Sequence, residues 1–281
     1  MEGSKIVFRE YTSDASFAKI TDIPKDGSEI QVVLTFARDY DGVGPNKGKF
    51  IPYWDTKIVN PEVIAKFKNN NPSAKVLVSI GGDKGDFPFK IDEDSMAEWI
   101  GAATESLTGI IKRYNLDGID VYYEDIKVMS ANFVQCIGKL IKELKIKKVI
   151  TRASISPKNI KASKEFYLPL YQGFKDYIDN INLFPSVEEN LTGNTKEDVL
   201  GSTLRQYPHT KLLLGNSGIH SPPIFFLVCK SLLSQKLING ISLKDPSYSI
   251  IANFPTQWIL DFVQFPPVAT RGSYANAVFK K

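Results

Sequence analysis

Short apolar runs rich in β-branched residues alternate along the chain with longer stretches whose apolar residues recur at helical spacing. Eight of these short runs have the length and composition of β-strands. By residue number they are 5–11, 30–37, 74–82, 116–124, 148–156, 177–184, 211–218 and 238–244. Helical patterns separate most of them, which is typical of parallel strands joined by crossover helices.

Two of the helical patterns begin with a start signal. Asn60 precedes Pro61, which suits the first helical position because its missing N–H is not needed there. Ser95 and Glu98 have the spacing of a capping box, in which two side chains satisfy free backbone N–H groups. Further helical patterns cover residues 130–145, 195–207, 222–236 and 255–265.

Eight strands alternating with helices over this length predict one (β/α)8 TIM barrel, formed by residues 1–281 as a single domain. The competing fold, a doubly wound open sheet, usually binds a nucleotide after its first strand. The segment 8–17, FREYTSDASF, contains no glycine-rich turn, and no Pro-, Gly- or Ser-rich linker divides the chain. In a TIM barrel, functional residues lie at the C-terminal ends of the strands.

Composition narrows the classes of function. The formal charge is a mild +4, and two basic runs, 142–148 and 158–164, flank the fifth predicted strand. They form either a patch for an acidic partner or solvated helix and loop faces. No aromatic residues are interleaved with them, so no nucleic-acid partner is expected. Cys136 and Cys229 lie among apolar residues and are expected to be buried and reduced.

Targeting and metal signals are missing from the sequence. The N-terminal residues contain no apolar signal segment, and no apolar run is long enough to span a bilayer. We therefore expect a cytoplasmic protein with no membrane partner. No metal motif is present, so neither a metal nor a cofactor is expected.

The segment LDGIDVYYEDI, residues 116–126, carries acidic residues inside a strand pattern. Side chains alternate between the two faces of a strand, so Asp120, Tyr122 and Glu124 share one face. The opposite face is apolar enough to pack against helices. The first set should therefore point into the barrel, with Glu124 nearest its mouth.

Two interpretations of these acids remain open, because a buried acid is costly unless it is hydrogen-bonded or functional. Asp120 and Glu124 are either satisfied by hydroxyls of neighbouring strands, such as Ser79 and Ser154, or belong to a functional site. In the second case Glu124 is, or descends from, a general acid.

Residues 117–124, DGIDVYYE, resemble the DxxDxDxE strand of glycoside hydrolase family eighteen, the chitinase family. The run VSIGG, which contains Ser79, Gly81 and Gly82, resembles the SxGG element on that family's third strand. FREY at 8–11 and YWD at 53–55 resemble the plant subgroup that includes tulip-bulb-type chitinases, narbonin and the RuBisCO-associated protein. The SxGG and DGxD…E elements together are a stronger signal than either alone.

The resemblance implies roles for these residues. By position, Glu124 matches the general acid, and Asp117 and Asp120 match the first two aspartates. In this family the substrate's own N-acetyl group attacks the anomeric carbon, and an aspartate two residues before the acid orients it. Tyr122 stands at that position. Its phenol is neutral at pH 7 and bulky, and losing one such electrostatic group costs about a hundred- to thousandfold in rate.

Two further positions depart from the family pattern. After the sixth strand, residues 183–185 are Leu-Phe-Pro where active relatives carry polar groups. At the eighth strand Lys244 stands where the family usually has a tryptophan that forms the floor of the sugar site. Trp54 and Tyr53 are the candidate aromatic contacts to a sugar, and ordinary packing is the alternative for Trp54.

Three hypotheses follow. The first is a catalytically silent chitinase-like protein with a storage or protein-interaction role. The second is a weakly active glycosidase, or one of altered specificity, acting on N-acetylglucosamine oligosaccharides. If that enzyme used a nucleophile of its own, Glu10 and Asp245 are the candidate second carboxylates. The third is a lectin for chitin oligosaccharides. We favour the first, so the expected partner is a protein or a weakly held oligosaccharide.

Overall fold

The protein folds into a closed barrel of eight parallel strands. The computed structural model describes residues 5–13, 17, 28–41, 44–45, 47–82, 87–184, 201–216 and 222–244. The barrel strands are β1 (Val7–Thr12), β2 (Glu29–Arg38), β3 (Lys75–Gly82), β4 (Gly118–Tyr123), β5 (Arg152–Ile155), β6 (Asn180–Leu183), β7 (Leu212–Asn216) and β8 (Gly240–Leu243). Strand β1 pairs with both β2 and β8, which closes the sheet.

All eight predicted strands are present, and the predicted TIM barrel is confirmed. Their apolar character follows from burial on both faces, since helices cover the outside of the barrel. The pattern missed one short strand, Ile51–Pro52, which pairs antiparallel with the end of β2. Two residues are too few for any periodicity to be recognised.

The helices lie outside the barrel. They are α1 (Pro61–Asn70), α2 (Met96–Tyr114), α3 (Ser130–Ile146), α4 (Leu168–Phe174) and α5 (Pro222–Ser234). A short helical turn, Ile160–Ala162, and a π-helical segment, Ser163–Tyr167, lead directly into α4. The sequence pattern did not predict this helical run. The predicted helix at 255–265 and the first part of the one at 195–207 lie outside the described residues.

Both predicted helix starts are confirmed, but the capping box predicted at the second is wrong. The Asn60 side chain accepts hydrogen bonds from the backbone N–H groups of Glu62 and Val63. The Ser95 side chain makes no capping hydrogen bond. A 3-10 turn, Glu93–Ser95, precedes α2, so Ser95 already lies in turning backbone and not in the extended conformation that a capping residue usually adopts.

The packing of the described residues divides into two apolar clusters. The larger fills the space between sheet and helices and contains both cysteines, which are free and buried as predicted. The smaller lies inside the barrel and consists of Tyr11, Val33, Phe36, Leu77, Tyr122 and Phe184. The register of β2 with β3 shifts between Thr35 and Ala37. A bulge of this kind re-aims a side chain, and Phe36 joins the inner cluster here.

Candidate functional site

Asp120 is the centre of a polar network inside the barrel. Its side chain is fully buried. It accepts hydrogen bonds from hydroxyl and guanidinium groups on β1, β3 and β5 and from the residue after β5. The donors are Arg9 (3.2 Å), Tyr11 (3.0 Å), Ser79 (3.0 Å), Ser154 (2.5 Å) and Ser156 (2.7 Å). Both Ser79 and Ser154 were predicted partners of a buried acid in this strand.

Arg9 neutralises Asp120 from the opposite side of the barrel. Both side chains have no exposed surface, and the guanidinium also donates to Gln31. A buried ion pair is tolerated only where further hydrogen bonds satisfy both groups, and this pair meets that condition. Burial, and then the charge of Asp120, raise the pKa of Tyr11 well above its ordinary value. The network therefore joins Asp120 and Arg9 to hydroxyl groups, and the raised pKa keeps the Tyr11 hydroxyl neutral.

Tyr122 lies directly above this network and fills the inside of the barrel near its mouth. The residue is 3% exposed. Its ring centroid is 5.9 Å from that of Phe36 and 5.8 Å from that of Phe184, the latter in an edge-to-face contact. The ammonium nitrogen of Lys244 lies 4.1 Å from the Tyr122 ring centroid, a cation–π distance. Burial, followed by the charge of Glu124, raises the tyrosine pKa, so the hydroxyl stays protonated.

Glu124 follows β4 and is held through both carboxylate oxygens. The Tyr122 hydroxyl donates to Oε1 at 3.1 Å, and the Lys158 ammonium lies 3.0 Å from Oε2. The Glu124 side chain is 17% exposed, and that of Lys158 is 44% exposed. Glu124 is therefore accessible at the edge of the site, but its partners are an ammonium and a phenol of the same chain.

The SxGG-like residues of β3 contact Asp120 and Tyr122 from the neighbouring strand. Ser79 binds Asp120, as described above. Gly81 has φ +109°, and a Cβ there would collide with the carbonyl oxygen of Tyr122. Only glycine allows this close approach of β3 and β4 without strain. A Cβ on Gly82 would touch Phe87, so the backbone is tightly covered there as well.

Asp117 lies at the opposite end of β4 from Glu124. It precedes β4 and accepts hydrogen bonds from the Lys68 ammonium (2.9 Å) and the backbone N–H of Val76 (2.8 Å). Val76 lies at the start of β3, so Asp117 joins α1 and β3 at the N-terminal face of the barrel. In TIM barrels that face serves stability and the opposite face carries chemistry. The first aspartate of the motif thus has a structural contact set.

Of the two aromatic residues considered as sugar contacts, Trp54 is buried and Tyr53 is not. Trp54 is 4% exposed, packs edge-to-face on Tyr114 and donates its indole N–H to the carbonyl of Val59. A sugar contact would require Trp54 to leave this packing, so the geometry favours the packing alternative. Tyr53 is 38% exposed.

Sequence reasoning missed the cation beside Tyr53. The Arg38 guanidinium lies 4.9 Å from the Tyr53 ring centroid and 3.8 Å from that of Phe87. Arg38 ends β2, so it lies at the C-terminal rim of the barrel. The sequence does contain a signal for Arg38, because a charged residue stands there at the end of an apolar strand.

Glu10 and Asp245 were the candidates for a second carboxylate, and the structure describes the first of them. Glu10 is buried in the middle of β1, and its neighbours Arg9 and Tyr11 point into the barrel. By strand alternation Glu10 points toward the helices, so its geometry does not suit a second carboxylate that faces the inside of the barrel. Asp245 lies outside the described residues. In the part of the chain that the structure describes, no group of three His, Cys, Asp or Glu side chains is arranged to hold a metal.

The comparisons with known proteins agree with this geometry. Residues 11–186 match the family described as Glycosyl hydrolases family 18. This chain belongs to that family. It is 43% identical to the RuBisCO-associated protein of Glycine max over 90% of this chain and 94% of that protein. It is 31% identical to Chitinase 1 of Tulipa saxatilis subsp. bakeri over 89% of this chain and 83% of that protein.

Solved structures give the same result. The family 18 chitinase from Crocus vernus superimposes with a TM-score of 0.77 at 31% identity, covering 90% of this chain and 99% of that chain. The catalytic domain of a family GH18 chitinase from the fern Peteris ryukyuensis has a TM-score of 0.79 at 29% identity, covering 92% and 99%. The family resemblance expected from the motif residues is confirmed. Among the described residues, no helix is long and apolar enough to cross a membrane.

Proposed function

We propose that this chain is a catalytically silent member of glycosyl hydrolase family 18 that acts through a protein partner or as a storage protein. The observation that carries the proposal is Tyr122. It stands two residues before Glu124, is buried among aromatic rings and binds the Glu124 carboxylate. That position belongs to the orienting aspartate in the motif that the sequence resembles.

The electrostatic argument concerns the charge that develops during cleavage. An oxazolinium intermediate carries positive charge, and an aspartate stabilises it. The Tyr122 hydroxyl is neutral, and the raised pKa keeps it so. Fixed charges aimed at a developing charge are usually the largest catalytic contribution, and removing one costs about 10²–10³ in rate. Loss of the aspartate therefore accounts for most of the expected silence.

The steric argument concerns the space for the sugar's acetamide. The Tyr122 ring occupies the interior of the barrel above Asp120, and Phe36 and Phe184 hold it from two sides. Lys244 covers the ring at a cation–π distance. Opening this space requires four packed side chains to move together, because protein interiors are close-packed.

The interaction role rests on the comparison with relatives. The protein that is 43% identical to this chain over nearly its whole length is named for its association with RuBisCO. A chain that keeps the barrel and has a blocked site retains its outer surfaces for binding. Storage requires no site, so the structure gives it no separate support.

A weakly active glycosidase or a lectin is the second candidate, and two observations favour it. Glu124 survives at the position of the general acid and remains partly exposed. Tyr53 is also exposed at 38% and lies beside Arg38. Either function requires a groove that admits at least one N-acetylglucosamine residue past Tyr122.

Isothermal titration with tri-N-acetylchitotriose tests the proposal. A closed site predicts no measurable heat of binding at millimolar ligand. The matched variant is Tyr122→Ala, which removes the ring and keeps the remaining side chains. Saturable binding to the wild type would contradict the closed site. If binding occurred without hydrolysis, the lectin would replace the silent protein as the better account.

A further inference from the structure

A groove of about 740 Å³ runs between α2 and α3 on the outside of the barrel, away from Tyr122. Its apolar part is lined by Ile100, Gly101 and Val149. Small and apolar residues thus form the floor of an open surface groove. Among the described residues, no aromatic side chain lines this groove.

The shape of the groove fits a helix. No atom of the described part of the chain lies within 4 Å of the point where a Cβ on Gly101 would stand. Ala97, one turn earlier, is small and exposed. Small residues on a helix surface allow another helix to approach closely and to set its ridges into the groove. Helix α2 has 19 residues, and at 1.5 Å rise per residue it offers about 28 Å of contact length.

The charge of the groove fits an acidic occupant. Four lysines line it, Lys112, Lys139, Lys142 and Lys147, against two glutamates, Glu105 and Glu143. Lys147 pairs with Glu143 at 3.2 Å. The difference of four positive and two negative charges leaves a net charge of +2 along the groove. Lys142 and Lys147 belong to the basic run 142–148, one of the two for which an acidic partner was considered from the sequence.

We propose that the groove between α2 and α3 docks an acidic amphipathic helix of a partner protein. The apolar face of that helix would lie on Ile100 and Val149, and its acidic side chains would meet the lysines. The inference rests on the interaction role proposed above. Single-stranded nucleic acid is the less suitable occupant, because stacking platforms are absent among the side chains that line the groove.

Fluorescence anisotropy with a small panel of labelled synthetic peptides tests this. Each peptide is an amphipathic helix of about 15 residues, with Leu and Ala on one face and Glu on the other. The steric variant is Gly101→Gln, which fills the groove. Its control is Gly109→Gln, on the same helix, where a side chain also meets open space and does not line the groove. The charge variant is Lys139→Glu, with the exposed Lys66→Glu on α1 as its control.

The proposal expects saturable binding that Gly101→Gln and Lys139→Glu each weaken by about tenfold, or about 1.4 kcal/mol, while both controls bind as the wild type does. Absence of binding by every peptide would overturn it, as would equal binding by Gly101→Gln and Gly109→Gln. If a single-stranded oligonucleotide bound the wild type more tightly than every peptide, and the same two variants weakened that binding, nucleic acid would replace the protein helix as the occupant. None of these results affects the proposed catalytic silence, which oligosaccharide binding and hydrolysis test separately.

Discussion

The Tyr122 hydroxyl donates a hydrogen bond of 3.1 Å to Oε1 of Glu124, two residues further along the chain. Both side chains leave the same face of the strand, so the residue that replaces an aspartate also engages the acid. The ring beneath that hydroxyl packs on Phe36 and Phe184. One substitution thus changes the charge, the space and the hydrogen bonding of the site together.

Tyr122→Asp alone is expected to give no chitin hydrolysis. The change removes a packed ring, which by analogy with buried Phe→Ala costs about 3–5 kcal/mol of unfolding free energy. It also sets a second carboxylate beside Glu124, and it leaves Phe184 and Lys244 in place. Urea unfolding and a fluorogenic chitotriose assay measure the two effects. Tyr122→Phe is the control, since it keeps the ring and should lose less than about 3 kcal/mol. Turnover by Tyr122→Asp would show that the other departures are harmless.

Asp120→Ala is expected to lower the unfolding free energy by about 3–5 kcal/mol, because it leaves the Arg9 guanidinium buried without its charge partner. Adding Arg9→Met should restore part of that loss, with a coupling energy of about 0.5–3 kcal/mol in the double-mutant cycle. The exposed pair Glu143–Lys147 serves as the reference, where a cycle should give at most about 1 kcal/mol. Additive losses at Arg9 and Asp120 would contradict the central role of their ion pair.

Gly81→Ala is expected to be strongly destabilising, and Gly109→Ala mildly stabilising. At Gly81 the backbone has φ +109° and a methyl group would meet the Tyr122 carbonyl, so the cost should exceed about 2 kcal/mol. At Gly109, inside α2, the methyl group meets no atom of the described residues, and helix propensity should add about 0.5–1 kcal/mol. Thermal or urea unfolding of the two variants compares them directly. Similar effects at both positions would refute the close β3–β4 approach.

Asp39→Asn is expected to change the pH dependence of stability. Burial raises the pKa of Asp39, against the opposing hydrogen bond from the Trp99 indole. The stability contributed by the protonated acid is fully present below its unfolded pKa of about 3.9. It is lost as the pH rises through the raised folded pKa. The stability of Asp39→Asn relative to the wild type should therefore rise with pH over that window and then level off. Urea unfolding followed by tryptophan fluorescence measures this, and a pH-independent difference would contradict it.

The strand pattern predicted the parts of the site that lie close together in sequence. Alternation along residues 118–124 placed Asp120, Tyr122 and Glu124 on one face, and Ser79 and Ser154 were identified as hydrogen-bonding neighbours. The first prediction follows because strand side chains alternate between two faces. The second follows because consecutive strands are neighbours in a (β/α)8 barrel. The family motif then aligned Glu124 with the acid.

The remaining contacts join distant parts of the chain, and no local pattern reveals them. Arg9 binds Asp120, and 111 positions separate the two residues along the chain. The identities of Phe184 and Lys244 were noted as departures, but their contact with the Tyr122 ring depends on barrel closure. Trp54 is buried because α2 brings Tyr114 against it.

Hydrolysis of a fluorogenic tri-N-acetylchitotriose by the wild-type protein tests the central claim most directly. The assay runs beside Glu124→Gln and beside Chitinase 1 from Tulipa as the positive control. Catalytic silence predicts that wild type and Glu124→Gln both stay at the rate of the buffer blank while the control cleaves the substrate. Wild-type turnover that Glu124→Gln abolishes would contradict it, and would identify Glu124 as a working acid despite the Tyr122 ring.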